Sequence, residues 1–168
     1  GDGYDDYVIA DPGYTKSTTT TTGTVNTEQA GAVYIYLGGA NGLTSASVTI
    51  KGAYEEDWLG YNGVWNLGDI NGDGRDDLAM VDYDNYVYIL WGKSFFSSVY
   101  DLETENPNTT TNFSVIGEVL YSFRGLEALG DINGDGYGDV GVLTDWGLFH
   151  IVYGQPNWNI VYDSLDQL

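Results

Sequence analysis

The chain has 168 residues, 42% of them hydrophobic and 15% aromatic, which suffices for one domain with a core and argues against a disordered chain. Its formal charge is −20, from 25 acidic and 5 basic residues, which excludes nucleic acid and membrane insertion and favours cations as partners. It has no cysteine, so disulfides and thiolate metal sites are excluded, and no apolar run approaches the length of a membrane span.

The chain opens on an acidic, glycine-broken phrase, GDGYDD (1–6). No initiator Met or leader precedes it, as expected of a processed or excised piece of a longer chain. A strand-like run follows, YVIAD (7–11), and then a hydroxyl-rich stretch, Ser17 with Thr18, Thr19, Thr20, Thr21 and Thr22, read as a surface loop and a candidate for O-linked sugar. AVYIYLGG (32–39) and SVTIKG (47–52) are the next two strand-like runs. Glu55, Glu56 and Asp57 sit in the linker after them and read as solvated.

NGVWNLGD (62–69) leads into a full acidic phrase, GDINGDGRDD (68–77), followed by DLAMVD (77–82) and YVYILWG (86–92). A linker carrying Val99-Tyr100-Asp101 and two N-glycosylation sequons, at Asn108 and Asn112, separates these from FSVIGEV (113–119). GLEALGD (125–131) leads into the second full phrase, GDINGDGYGD (130–139), and then DVGVLTD (139–145) and LFHIVYG (148–154). Val161-Tyr162-Asp163 repeats the linker triplet of the middle unit. No stretch has helical periodicity, and 24 glycines punctuate the turns.

Asp2, Asp73 and Asp135 align at spacings of 71 and 62 residues, and each phrase is followed by the same order of runs. Long internal periods mean arrays or propellers, and four strands per repeat describe a propeller blade. The expected fold is all-β, with antiparallel four-stranded blades, about two and a half to three of them, that do not close a propeller alone. Blade 1 spans about 1–52 and lacks its first strand, blade 2 spans about 58–119, and blade 3 spans about 124–168 and lacks its outer strand. The missing pieces are consecutive parts of one blade. This fits a cut through a longer array, or ends completed by neighbouring copies. An ordinary β-sandwich with a duplicated segment is the competing reading.

The phrases carry the chemistry. Asp69, Asn71, Asp73, the carbonyl of Arg75 and Asp77 occupy odd positions of a tight loop, where oxygens can face one centre. Asp131, Asn133, Asp135, the carbonyl of Tyr137 and Asp139 repeat the set, and Asp2, the carbonyl of Tyr4 and Asp6 form a truncated third copy. Calcium takes six to eight oxygens at roughly 2.3–2.6 Å from such groups, whereas magnesium prefers rigid octahedral sites that keep water. An EF-hand needs a bidentate Glu at loop position twelve, where this chain has Met80 or Val142, so that reading fails. A solvated Asx-turn without metal is the remaining alternative.

These loops resemble the FG-GAP repeats of integrin α-subunit β-propellers and their bacterial relatives. Leu59-Gly60 stands at the Phe-Gly position of blade 2. Ala10-Asp11-Pro12 resembles the Gly-Ala-Pro element, while Val81-Asp82-Tyr83 and Leu143-Thr144-Asp145 depart from it. The resemblance covers nearly the whole chain and implies a structural calcium in each loop. Eight of the 25 acids are then candidate side-chain ligands. Extracellular calcium modules bind with Kd of about 10⁻⁴–10⁻³ M, so a secreted or cell-surface location is expected.

No nucleophile elbow, zinc-protease motif or phosphate-cradling loop occurs, and no enzyme activity is expected of these residues. The single histidine, His150, reads as a hydrogen-bonded strand residue rather than a catalytic one. The tryptophans, Trp58, Trp65, Trp91, Trp146 and Trp158, read as filling between blades, with sugar stacking as the alternative. The expected function is a calcium-stabilised structural or adhesive module whose partners are other copies or the rest of a longer propeller chain, with a protein or glycan ligand. A lectin-like propeller and the non-catalytic part of a secreted enzyme are the alternatives.

Overall fold

The computed structural model describes residues 3–43, 45–105, 112–116, 123–144, 147–156 and 158. Among them every regular element is a β-strand. In chain order these are β1 (Tyr7–Asp11), β2 (Lys16–Thr20), β3 (Gly23–Thr27), β4 (Ala32–Tyr36) and β5 (Val48–Lys51). Then come β6 (Gly63–Gly68), β7 (Asp77–Val81), β8 (Val87–Leu90), β9 (Val99–Asp101) and β10 (Phe113–Ile116). The last are β11 (Phe123–Gly130), β12 (Asp139–Thr144) and β13 (Phe149–Val152). The expected runs form strands where they are described. Residues 117–119 of one such run, and the triplet 161–163, lie outside the described residues.

Three sheets carry the repeat, and none closes on itself. The middle sheet has the order β10-β8-β7-β6 and is antiparallel throughout. The third has the order β11-β12-β13. The first has the order β1-β4-β5-β9. Here the structure departs from the sequence expectation. Val99-Tyr100-Asp101, read as part of the middle unit's linker, instead adds to the first sheet as a parallel strand beside β5. The free edge of β5 takes it, and burial of Tyr100 in the core between the first two sheets holds it there.

A second departure is the hydroxyl-rich stretch. It is a two-stranded hairpin, β2 with β3, not a loop. Thr18, Thr19 and Thr20 lie exposed on β2, with Thr21 and Thr22 in the turn. Its base is anchored by Lys16, which is 1% exposed. The Lys16 Nζ donates to the carbonyls of Gly52 and Ala53 and to the carboxylates of Asp101 and Glu103 at 2.8–3.3 Å. The lysine therefore ties the hairpin to β9 and to the strand that β9 covers.

Packing between the sheets is repetitive. Residues paired across a ladder share a face. On the middle sheet Ala79, Val81, Val87 and Ile89 share the face turned to the third sheet, where they meet Val140, Val142 and Val152. The opposite face, with Leu78, Met80, Tyr88 and Leu90, meets Val8, Ala10, Val33 and Ile35 of the first sheet. Covering on both sides buries β7 and β8 nearly throughout, while β1, covered on one side, alternates between exposed and half-buried residues. The joint between the first two sheets is close. The Leu59 N–H donates to the Ala30 carbonyl at 3.1 Å, and a Cβ on Gly60 would lie 2.6 Å from that of Ala10.

Asp82, at the end of β7, is buried at this joint. Burial pushes its pKa from 3.8 to about 7, helped by the charges of Asp57 and Asp84 and opposed by hydrogen bonds from the Tyr86 N–H and the Tyr88 hydroxyl. The folded state thus keeps a proton that the unfolded chain has released between about pH 4 and pH 7, and its stability falls as pH rises through that window. Each tenfold change in proton affinity is worth about 1.4 kcal/mol, which sets the effect at a few kcal/mol. Asp82→Asn keeps an acceptor for the Tyr86 N–H and has no charge to lose. Thermal melts from pH 5 to 8 are expected to show the variant gaining several degrees on the wild type as pH rises; parallel curves would contradict this account of Asp82.

Candidate metal centre

Both full acidic phrases fold into the same hydrogen-bonded loop, between β6 and β7 and between β11 and β12. In the first, Asp69 Oδ1 accepts the N–H groups of Gly72 (2.7 Å) and Asp73 (2.9 Å), and Oδ2 accepts that of Gly74 (2.8 Å). Asn71 Oδ1 accepts the Asp73 N–H at 2.9 Å, and Asp73 Oδ1 accepts the Arg75 N–H at 3.0 Å. In the second, Asp131 accepts from Gly134, Asp135 and Gly136, Asn133 from Asp135, and Asp135 from Tyr137, all at 2.7–3.1 Å. The curl requires left-handed backbone at Gly72 and Gly74 (φ 77° and 86°) and at Gly134 and Gly136 (78° and 95°), which glycine adopts without a Cβ penalty.

The last acid of each loop does a different job. Asp77 is 1% exposed and Asp139 is 0% exposed. Asp77 Oδ2 accepts the Ile70 N–H (3.1 Å) and Oδ1 the Gly92 N–H (2.8 Å). Asp139 does the same with Ile132 and Gly154, both at 2.9 Å. In the truncated copy the Gly38 N–H donates to Asp6 Oδ1 at 2.8 Å, although Asp6 is exposed. Each of these glycines is pressed against the backbone before the acid. A Cβ at Gly38, Gly92 or Gly154 would lie 2.2, 2.4 or 2.3 Å from the carbonyl oxygen of Asp5, Asp76 or Gly138. This clip ties the start of one strand to the end of the next, and it was not read from the sequence. The spacing of 15 residues from Asp77 to Gly92 and from Asp139 to Gly154 was the available signal.

The two full loops also touch. The Gly138 N–H donates to the Asp69 carbonyl (2.7 Å), and the Trp158 indole N–H donates to the Ile70 carbonyl (3.1 Å). A Cβ on Gly72 would meet the Tyr137 ring at 2.6 Å. The charge is concentrated accordingly. Burial pushes the pKa of Asp77 to about 7; its hydrogen bonds from Gly92 and Ile70 oppose that, and Asp73 and Asp69 add repulsion.

The donor set suits a hard cation in its chemistry: carboxylates, an amide oxygen and loop carbonyls. The N–H donors use three of the four lone pairs of Asp69 and fewer on the others, so every side chain keeps acceptor capacity. Among the described residues, however, no three Asp, Glu or His side chains are gathered closely enough to hold a metal ion by themselves. Asp2 lies outside the described residues, and of its copy Tyr4 and Asp6 are both exposed.

Other expected features fall out unevenly. Asn108 and Trp146 lie outside the described residues. Asn112 is half-buried, donates from its Nδ2 to Glu105 Oε2 (3.2 Å) and accepts from Lys93. His150 is on β13, but among the described residues its buried Nε2 has no hydrogen-bond partner, so the expected bond is not found at that atom. Asp57 is half-buried rather than solvated, because its carboxylate caps the Tyr54 N–H at 2.7 Å. Trp65 and the Trp91–Trp158 pair pack between the second and third sheets. Trp58 does not; it joins Tyr61 and Tyr83 in a surface cluster with ring centroids 5.2–6.4 Å apart.

No protein-family model matches the chain. No curated protein sequence matches it either. Among the described residues no helix is long and apolar enough to cross a membrane.

The clip makes a discriminating prediction. Gly38→Ala forces a Cβ into the Asp5 carbonyl, while a Cβ at the adjacent Gly39 meets open space. The first substitution should cost about 1–3 kcal/mol, as overpacking does, and lower Tm by several degrees. The second should leave Tm within about a degree. Equal melting of the two variants would remove the clip from the account.

Proposed function

We propose that the chain is a calcium-stabilised structural or adhesive module of the extracellular space, built from β-propeller blades of the FG-GAP type. The observation that carries this reading is the identity of the two loops: the same acids, amides and left-handed glycines in the same hydrogen-bond pattern, each ahead of the same two strands. Repetition at that level supports one repeated purpose. Two sheet-to-sheet interfaces of one kind support blades, and contact of Leu59-Gly60 with Ala10 supports the weaker elements of the resemblance. Calcium would be held by Asp69, Asn71, Asp73 and Asp77, and by Asp131, Asn133, Asp135 and Asp139, with the carbonyls of Arg75 and Tyr137. It would neutralise acids that otherwise repel one another beside a buried carboxylate. The ion is structural in this reading and catalyses nothing.

A second reading, carbohydrate recognition, is favoured by the Trp58–Tyr61–Tyr83 cluster. Tyr61 and Tyr83 are 52% and 55% exposed, and positive φ angles at Glu56, Trp58 and Asn85 gather around them. A glycan array probed in calcium separates this reading from a purely structural one.

Binding at a Kd of 10⁻⁴–10⁻³ M would stabilise the fold by about 1–3 kcal/mol per site in roughly 10 mM calcium. Melting in calcium against EGTA should therefore give a Tm gain of several degrees, with Asp73→Ala and Asp135→Ala each removing about half of it. Superimposable melts in the two buffers would sink the calcium reading.

A further inference from the structure

The two outer sheets each leave bare one face of the interface that the chain builds twice inside itself. Leu143, Phe149 and Ile151 of the third sheet are 45%, 53% and 42% exposed. Their counterparts on the middle sheet, Val81, Val87 and Ile89, are at most 2% exposed, because the third sheet covers them. At the other end Tyr7 and Ile9 of the first sheet are 56% and 42% exposed. Their counterparts Leu78 and Met80 face the first sheet, and Met80 is 0% exposed. Apolar residues thus persist at repeat positions that are core elsewhere. The two bare faces are opposite halves of one interface, not copies of the same half.

The substitutions at these ends are informative. Where the middle sheet has Leu78 and Leu90, the first sheet has Tyr7 and Tyr36. Where it has Val87, the third has Phe149, whose ring lies over Gly141. The Tyr7 and Tyr36 rings, with their polar tips, tolerate water when the first sheet's face is open and still bury apolar area when it closes, which suits a reversible contact better than a permanent core.

We propose that a second copy of this chain docks here, the bare face of its first sheet seating on the bare face of the third sheet, in the register that joins consecutive sheets within the chain. This rests on the reading of the sheets as successive blades. The contact is heterologous, so it makes rings if the rotation closes and filaments if it does not. Both faces carry a carboxylate, Asp11 on the first sheet and Glu127 beside Gly141 on the third, and each copy is at −20. Association therefore strengthens as salt or calcium screens the charge.

The test uses Ile151→Lys, which blocks one face, and Ile9→Lys, which blocks the other; both positions are exposed, so the sheets should fold. Sedimentation velocity is run in calcium and about 150 mM NaCl, where exposed charges are largely screened. The wild type should gain mass beyond a dimer as concentration rises. Each variant alone should associate at least about tenfold more weakly, as loss of an interface anchor does. Mixed, the two variants should form a 1:1 heterodimer that grows no further, because each keeps the face the other has lost. If circular dichroism shows that a lysine unfolds its sheet, Phe149→Ser and Tyr7→Ser carry the same test. A wild type that stays monomeric to millimolar concentration overturns the proposal, as do variants that assemble like the wild type or a mixture that stays monomeric. A calcium-induced Tm gain persisting in those same samples would leave the module reading standing without the docking.

Discussion

One contact underlies the repeat: a carboxylate at the start of a strand accepting the N–H of a glycine just past the end of the strand paired with it. Asp77 with Gly92 and Asp139 with Gly154 make it in the core, and Asp6 with Gly38 makes it at the surface. The second oxygen of the buried pair turns back to the loop, onto the N–H of Ile70 or Ile132. The acidic phrase is therefore attached to two adjacent strands at once. The glycine is fixed by its partner's backbone, because a Cβ there would sit inside van der Waals contact with a carbonyl. Loop curl, strand pairing and sheet-to-sheet packing all start from this junction.

The same junction concentrates charge. Asp77 is buried near Asp69 and Asp73, and desolvation with that repulsion lifts its pKa to about 7. The loop's own N–H groups orient the carboxylates but supply no positive charge; Arg75 approaches Asp73 only to 4.0 Å at the exposed rim. In the proposed reading a divalent cation would neutralise this charge and link folding to the ion supply. The N–H donors spread the acids around the curl, so hydrogen bonds hold the loop's shape.

Much of this was legible in the sequence because the repeat is local. β7, β8, β12 and β13 follow their phrases at short range, and glycine fixes where each loop bends. What escaped was non-local or lay outside the apolar code. β9 has only three residues and acquires its place from the free edge of β5, some fifty positions earlier. The β2–β3 hairpin has no apolar alternation; its strands are Thr-rich, a residue that suits sheets but reads equally as a polar loop. Lys16 looks like an ordinary surface charge until Asp101 and Glu103 arrive from a different unit. The site divides the same way. That each phrase forms one tight glycine-bent loop was legible, whereas the separate duty of Asp77 and Asp139 was not, since it depends on glycines supplied by the following strand.

The measurement that bears most directly on the central claim is the anomalous difference density of crystals grown with terbium or calcium. The account predicts two ions, one within the loop 69–77 and one within 131–139, each touching the side chains of its first, third, fifth and ninth residues. Loops without density, with Asp77 still on Gly92 and Asp139 still on Gly154, would show that the phrase is a hydrogen-bonded turn that needs no metal.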